Sequence, residues 1–444
     1  MKRCCYILLC IVVLTSCNNL DNATPSNRKT FLKFYEGPYN LSAAAVELTP
    51  TGYVVLGNMS VNVTDTSFTQ AALLNIRQDG TLAEDIHYYP GGNGKSFKPL
   101  FDGSAVNGYI MVGDSVFVDP FAEQAANVEV YSMRILLLDN NFNTVNKLLI
   151  SDNTATGNQV KVDFSAETIG VSADGKVVIL GTRKANLTAP AEPLLLGTSA
   201  DLSSSWYVPY PLIPGRTGIN GRSILYIGEK IFWTRSLSEV QGPFINSWIS
   251  LPVVQERAAF INDSAVGEYA QGGQYFISHD ITTASNPDFG FGITGTFSKS
   301  TDGSKGNIFF IQARSNGTFI PESLRFFDMV LSADGTPLSD STQSVTIDEG
   351  RAITSTRDGG FVIAGTIITV PGVLGKGGKD LVLIKLSAAG NMLWYRLLGG
   401  SGDDVPAAIK ETPDGDLIIV GTHTLGNYST IFLAKTDKNG ELKN

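Results

Sequence analysis

Two acidic pairs, Asp348-Glu349 and Asp403-Asp404, come nearest to a set of residues that could do chemistry. Paired carboxyl groups hydrolyse glycosidic bonds, one as general acid and the other as base or nucleophile, at a separation that a sequence alone does not fix. A solvated loop with useful negative charge is the plainer reading of both pairs, and the preferred one. Trp206-Tyr207 and the nearby Tyr210 offer a second chemistry, stacking on the apolar face of a sugar. The three histidines, His87, His279 and His423, fall in no metal-binding spacing such as His-Glu-x-x-His. Asp139-Asn140-Asn141-Phe142-Asn143 places oxygen ligands at alternate positions, as a calcium loop does, but lacks the turn glycine and the closing glutamate. Gly91-Gly92-Asn93-Gly94-Lys95-Ser96 ends like a phosphate-binding loop, yet the first glycine of that motif would be Tyr89 and no helical pattern follows. No Gly-x-Ser-x-Gly elbow occurs. The sequence therefore yields no catalytic, metal-ligating or cofactor-binding set. Candidates for contact with a ligand or partner are Tyr210, Asp348, Glu349, Asp403 and Asp404.

The elements that must position these side chains follow from a phrase the chain repeats. Asp358-Gly359-Gly360-Phe361-Val362-Ile363-Ala364-Gly365-Thr366 returns as Asp414-Gly415-Asp416-Leu417-Ile418-Ile419-Val420-Gly421-Thr422. Each copy leads to a second apolar run and another tight turn, at Ala389-Gly390 and Asn439-Gly440. A turn on Asp-Gly, a short apolar run and a further glycine turn describe antiparallel strands. Earlier copies begin at Gly52, Gly108, Asp174 and Asp288, with a worn one at Gly228–Thr234. Seven repeats at this spacing suit four-stranded blades that bury their faces only by stacking. The expected fold is therefore all-β, a β-propeller over residues 31–444 with seven four-stranded blades. Residues 251–345 carry more strand-like runs than one blade needs, Gln274–His279 and Phe326–Leu331 among them, so eight blades stay open.

The last repeat stops before any equivalent of Met392–Leu398, and Phe31–Tyr35 precedes the first blade as that run precedes the last. An N-terminal strand completing the last blade would latch the ring and remove an open edge. By register Trp206-Tyr207 and His87 fall on Trp394-Tyr395, in outer strands, where packing is the better reading. Asn58–Gln70, Asp114–Val130 and Thr366–Lys379 read as long connections, as do Tyr89–Ser104 and Pro209–Arg222 between blades. Alternate connections of a blade lie on opposite faces, so the long ones gather on one face, the expected place for binding.

All four cysteines lie at Cys4, Cys5, Cys10 and Cys17, which leaves the body without a disulfide. Lys2-Arg3 followed by the apolar run Cys4–Leu14 is a signal-peptide pattern, too short to span a bilayer. The run ends Leu14-Thr15-Ser16-Cys17, which resembles the bacterial lipoprotein box. That resemblance implies removal of residues 1–16 and acylation of Cys17, with several acyl chains giving a stable anchor. Asn18 in place of Asp is, in the sorting pattern this resembles, compatible with export to the outer membrane. Residues 18–30 are polar and contain Pro25, a tether of up to about 45 Å when extended. A net charge of −9, more negative once Lys2 and Arg3 are removed, argues against nucleic acid and against electrostatic docking on anionic lipid.

The phrase Asp-Gly-Gly-aromatic-x-Ile/Val-x-Gly-Thr, with Asp380-Leu381-Val382-Leu383-Ile384-Lys385 and Gly399-Gly400-Ser401-Gly402-Asp403-Asp404, resembles the propeller repeats of Bacteroidota surface lipoproteins. The close resemblance covers about residues 350–444; residues 222–250 depart from it by losing the Asp-Gly turn and the final glycine. It implies a non-catalytic accessory or binding subunit on the outer membrane, facing the cell surface or the periplasm. The implied partners are a barrel transporter of a nutrient-uptake complex, another surface lipoprotein, a glycan or a peptide. A polysaccharide hydrolase or lyase, or a structural envelope component, is the alternative.

Overall fold

The computed structural model describes residues 30–443 apart from 64–65, 104, 119–128, 152–162, 173–174, 185–190, 210–219, 228–229, 237–243, 250–259, 266–274, 286–289, 299–305, 332–336, 340–347 and 369–377. The signal peptide, Cys17, nearly all of the tether and Tyr210 lie outside the described residues.

Among the described residues every element is a strand. The first, β1 (Phe31–Tyr35), is followed by a sheet of β2 (Asn40–Thr49), β3 (Gly52–Val63), β4 (Thr66–Arg77) and β5 (His87–Tyr89). The second sheet holds β6 (Ser96–Asp102), β7 (Ala105–Val118), β8 (Glu129–Leu138) and β9 (Thr144–Ile150). The third holds β10 (Asp163–Val171), β11 (Val177–Lys184), β12 (Glu192–Thr198) and β13 (Ser205–Pro209). The fourth holds β14 (Asn220–Ile227), β15 (Lys230–Ser236), β16 (Phe244–Ile249) and β17 (Phe260–Ala265). The fifth holds β18 (Tyr275–Thr283), β19 (Phe291–Ser298), β20 (Asn307–Ala313), β21 (Phe319–Leu331) and β22 (Pro337–Ser339). The sixth holds β23 (Glu349–Ser355), β24 (Phe361–Ile368), β25 (Lys379–Leu386) and β26 (Met392–Leu398). The last holds β27 (Asp403–Glu411), β28 (Leu417–Leu425) and β29 (Tyr428–Thr436), to which β1 adds the fourth strand.

Six sheets thus have four strands, while the fifth sheet has five. The surplus apolar run expected in 251–345 forms no additional sheet among the described residues. Phe326–Leu331 instead extends β21, and β22 pairs with that extension.

The sheets stand in a propeller arrangement because a strand face rich in Val, Ile, Leu and Phe must find another such face. Seven buried clusters each join two neighbouring sheets, and one of them joins the last sheet to the first through Val420, Ile431, Val46 and Val55. The first strand of each group forms the inner wall: β2, β6, β10, β14, β18, β23 and β27 contact one another in a closed circle. The ring is latched by β1, which pairs antiparallel to β29 from Phe31↔Lys435 to Tyr35↔Ile431. The Tyr35 hydroxyl donates to the Gly80 carbonyl at 2.8 Å, tying the latch to the first sheet.

Three expected loops contain strand instead: Tyr89–Ser104 holds the whole of β6, whose apolar Phe97, Leu100 and Phe101 are broken by Lys98 and Pro99. β3 and β4 pair without interruption out to Val63↔Thr66, so Asn58–Gln70 is the tip of a long hairpin. Its polar residues made it look like a loop, but Met59, Val61 and Val63 alternate with them at the period of a strand. In Asp114–Val130, β7 and β8 pair as far as Val118↔Glu129, which shortens that connection as well.

Candidate functional site

The inner strands share one irregularity. Six of them carry a β-bulge at the same register, between Ala43 and Ala45, Ala166 and Thr168, Gly221 and Ser223, Ser278 and Asp280, Gly350 and Ala352, and Pro406 and Ala408. The second sheet has its equivalent just before β6. There Asn93 N donates to Asp114 O and Lys95 N to Val112 O, leaving one extra residue between the pairs. A bulge inserts an unpaired residue and re-aims its side chain. The residues so inserted include Ala44, Lys95, Glu167, His279, Arg351 and Ala407, and all six line a cavity of about 610 Å³ enclosed by the inner strands.

The bulge also explains the glycine near the end of the repeated phrase. A Cβ on Gly421 would collide with the Val405 carbonyl, and one on Gly365, Gly295, Gly181 or Gly113 with the carbonyl two residues before its own bulge. The residue after that glycine ties the next sheet in place. Thr422 Oγ1 accepts from Ala43 N at 3.0 Å, Asn58 Oδ1 from Gly94 N at 2.7 Å, and Asp114 Oδ1 from Ala166 N at 2.9 Å. Each acceptor therefore fixes the backbone immediately before a bulge residue of the neighbouring sheet.

Charge is concentrated along this inner wall. Lys95 Nζ lies 2.8 Å from Asp114 Oδ2, 2.8 Å from Ser165 Oγ and 3.6 Å from Glu167 Oε1. The Gly91–Gly94 turn that delivers Lys95 is gripped by the buried Arg134, whose guanidinium donates to the carbonyls of Pro90 at 2.8 Å and Gly92 at 2.7 Å. Burial lowers the Arg134 pKa to about 10. Arg351 donates through Nε and Nη2 to Glu349 Oε2 at 2.9 and 2.6 Å. Burial opposes ionisation of Glu349, but Arg351 outweighs it and the pKa is lowered. His279 Nε2 is within hydrogen-bond distance of Thr296 Oγ1, at 3.2 Å.

Three residues beyond the bulge position stand Glu47, Lys98 and Lys410, on β2, β6 and β27. Glu47 accepts from Lys98 Nζ at 2.7 Å and from Lys410 Nζ at 2.8 Å. Burial opposes the charge on Glu47, yet the two ammoniums hold its pKa below the ordinary carboxylate value. Burial, then repulsion from Lys98, lowers the pKa of Lys410. Asp280 on β18 accepts from the backbone N–H of Ile281 at 2.8 Å and of Ile353 at 2.9 Å, and from Ser223 Oγ at 3.1 Å. Burial dominates there, and its pKa is raised.

The four expected site residues that are described do not converge on one another's side chains as a single site. Asp348 is buried and accepts from Met329 N at 2.8 Å. Asp404 accepts from Gly400 N at 2.9 Å and lies 2.8 Å from His423 Nδ1. Asp403 accepts from Lys379 N at 2.9 Å. These three hold connections and strand starts; of the four expected residues that are described, Glu349 alone reaches a cavity-lining side chain, Arg351. Trp206 and Tyr207 occupy the outer strand β13, paired with Gly197 and Leu196. The Trp206 ring covers the bare backbone of Gly197, a packing role. The Asp139 segment is a hairpin turn, its carboxylate accepting from Asn141 N and Asn143 N at 2.9 and 2.8 Å.

No protein-family model matches the chain, and no curated protein sequence does. Among solved structures, a protein of unknown function from Dyadobacter fermentans is similar at 10% identity and a TM-score of 0.47, over 92% of this chain and 98% of that one. The Trypanosoma rangeli sialidase with sialic acid is similar at 12% identity and a TM-score of 0.43, over 88% of this chain and 60% of the sialidase. An α-L-arabinofuranosidase from Fusarium graminearum is similar at 12% identity and a TM-score of 0.44, over 78% of this chain and 93% of that one. With these scores and identities, none of the likenesses carries an inference about this chain.

Proposed function

We propose that the chain is a non-catalytic lipoprotein of the outer membrane, anchored through Cys17 and facing the cell surface, that binds a small polar ligand in its axial channel. It would serve as an accessory of a nutrient-uptake complex whose barrel transporter receives the ligand. The observation that carries the binding site is the common bulge, which places Lys95, Glu167, His279 and Arg351 on one channel wall. Strands are a more rigid base for such a set than loops, so the channel takes precedence over the long connections as the binding place. The anchor rests on the Leu14–Cys17 box behind its apolar run.

The test is titration calorimetry of the chain with a panel of mono- and disaccharides, against Ala407→Trp, which fills the channel from a position whose own side chain is a methyl. Binding that survives this substitution puts the ligand elsewhere. Anchoring is tested separately: Cys17→Ala should move the protein into the soluble fraction, and continued membrane retention in high salt would refute the lipid anchor.

A second reading, hydrolysis or cleavage of a polysaccharide, draws on Asp280, whose raised pKa suits a general acid. Against it, the carboxylates of the inner wall already have partners: Glu47 two ammoniums, Asp280 three donors, Glu349 an arginine and Glu167 a lysine. Reducing-end release that Asp280→Asn abolishes without loss of fold would place the enzyme reading first.

A further inference from the structure

Two ammonium groups share a single carboxylate inside the channel. Glu47, Lys98 and Lys410 come from three consecutive sheets of the ring, the last, first and second, and reach one another at 2.7 and 2.8 Å. About a tenth of the Glu47 side chain is exposed, whereas Lys98 keeps 34% and Lys410 31%. An ammonium has three donors, and Glu47 takes one from each lysine. Lys98 and Lys410 thus keep donors that Glu47 does not use, and both line the cavity. Asp280, the other carboxyl whose charge acts on both lysines, is committed to Ile281 N, Ile353 N and Ser223 Oγ rather than to either ammonium. Two ammoniums side by side within low-dielectric walls attract an anion much more strongly than the same pair at an open surface.

The rest of the lining bears on the ligand's body. Thr168, Thr282 and Thr354 contribute hydroxyl groups from three further inner strands, and Ile169 and Leu225 contribute apolar surface between them. A pair of ammoniums with donors to spare matches a carboxylate, and spaced hydroxyls over apolar patches match a polyhydroxylated ring. We propose that Lys98 and Lys410, held by Glu47, form a carboxylate-binding site in the channel, and that the ligand class is a small acidic sugar. This rests on the channel being the ligand site, as proposed above, and adds the charge and class of the ligand.

The experiment titrates the whole chain with glucuronate, glucose and inorganic sulfate. Glucuronate should bind, with glucose weaker by about tenfold or more, the usual worth of hydrogen bonds to a charged group. Lys98→Met with Lys410→Met, which keeps the apolar stems, should remove that preference, while Lys98→Arg should retain it. Glu47→Gln, which releases both ammoniums, should bind glucuronate more tightly than the native chain. Thermal melts of each variant separate loss of the site from loss of the fold. Equal affinity for glucose and glucuronate, both blocked by Ala407→Trp, would overturn the carboxylate site while leaving the channel reading intact. Glucuronate binding that survives the double lysine substitution, or no glucuronate binding at all, would also overturn it. Sulfate bound as tightly as glucuronate would overturn the sugar-acid assignment.

Discussion

The repeated phrase keeps two kinds of glycine, at opposite ends of one strand, for unrelated physical reasons. On the tight-turn rim, Gly415 has φ +87° and nothing near the place a Cβ would occupy. At the bulge ring, Gly421 has no such backbone demand, but a Cβ there would strike the Val405 carbonyl and the Phe432 ring. The rim glycine is a matter of conformation and the ring glycine a matter of space. The fourth sheet keeps the bulge without a glycine at that position. There the residue before the bulge, Gly221, pairs with Arg235. What recurs is therefore the bulge, and the glycine follows from it. The rim only turns the chain, whereas the ring aims side chains into the channel.

The largest expected effect lies where neither glycine acts, at the seam that closes the ring. Deleting Phe31–Tyr35 removes a paired strand from β29 and the Tyr35 anchor on Gly80. It should cost more than about 5 kcal/mol, the whole margin of an ordinary domain. Deleting residues 19–26 should leave the melting temperature unchanged. A circular-dichroism melt that cannot tell the two deletions apart would show that the seam holds without its latch.

Next comes the ring glycine. Gly421→Val should destabilise by about 3 kcal/mol, the upper range for overpacking a fixed backbone. Chemical-unfolding curves measure it, and a Gly421→Val midpoint equal to the native one would refute the clash.

The sequence made the rim legible and the ring almost illegible. Asp-Gly turns, apolar runs and the missing last strand are local signals that need no third dimension. The bulge is not local. It breaks the two-residue period at one place in each inner strand, so a period-2 reading assigns Lys95, Glu167 and Arg351 to the wrong face or to none. Glu47, Lys98 and Lys410 are far apart in the chain and meet only because the last sheet closes on the first. The acidic pairs were conspicuous by adjacency, yet adjacent residues of a strand point to opposite sides. Asp403 and Asp404 accordingly divide between two different connections. One signal was available: charged residues within an otherwise apolar strand, immediately upstream of each phrase.

A smaller effect, set by pH, belongs to the ring's charges. The folded pKa of Glu47 is lowered, so its contribution is full above the unfolded carboxylate value and disappears as pH falls through the folded one. Glu47→Gln should therefore flatten the acid side of the stability profile and cost about 2 kcal/mol at neutral pH, an estimate reduced because both ammoniums are partly exposed. Asp280 has the opposite sign. Its raised pKa means stability declines as pH rises from the unfolded value to the folded one, and Asp280→Asn should remove that decline. Urea midpoints across acid to neutral pH measure both slopes.

The smallest effect returns to the rim. Gly415→Ala meets no atom, so the only cost is holding an L-residue at positive φ, about 1 kcal/mol. Asn, which tolerates that conformation better than Ala, should recover part of the loss at the same site. Neither change reaches the channel, because the turn at Thr412–Asp416 is closed by its own backbone bonds, Gly415 N to Thr412 O at 2.9 Å and Thr412 N to Asp416 O at 2.8 Å. Ligand affinity per folded molecule should thus be the same for Gly415→Ala as for the native chain, while the surviving fraction of any Gly421 variant should show altered affinity. That follows because Gly421 lies against the bulge that aims Ala407, and its neighbour Thr422 holds the backbone before Ala44. If Gly415→Ala changed affinity as much as a Gly421 variant, rim and ring would be mechanically coupled, and the division of labour drawn between the two glycines would not stand.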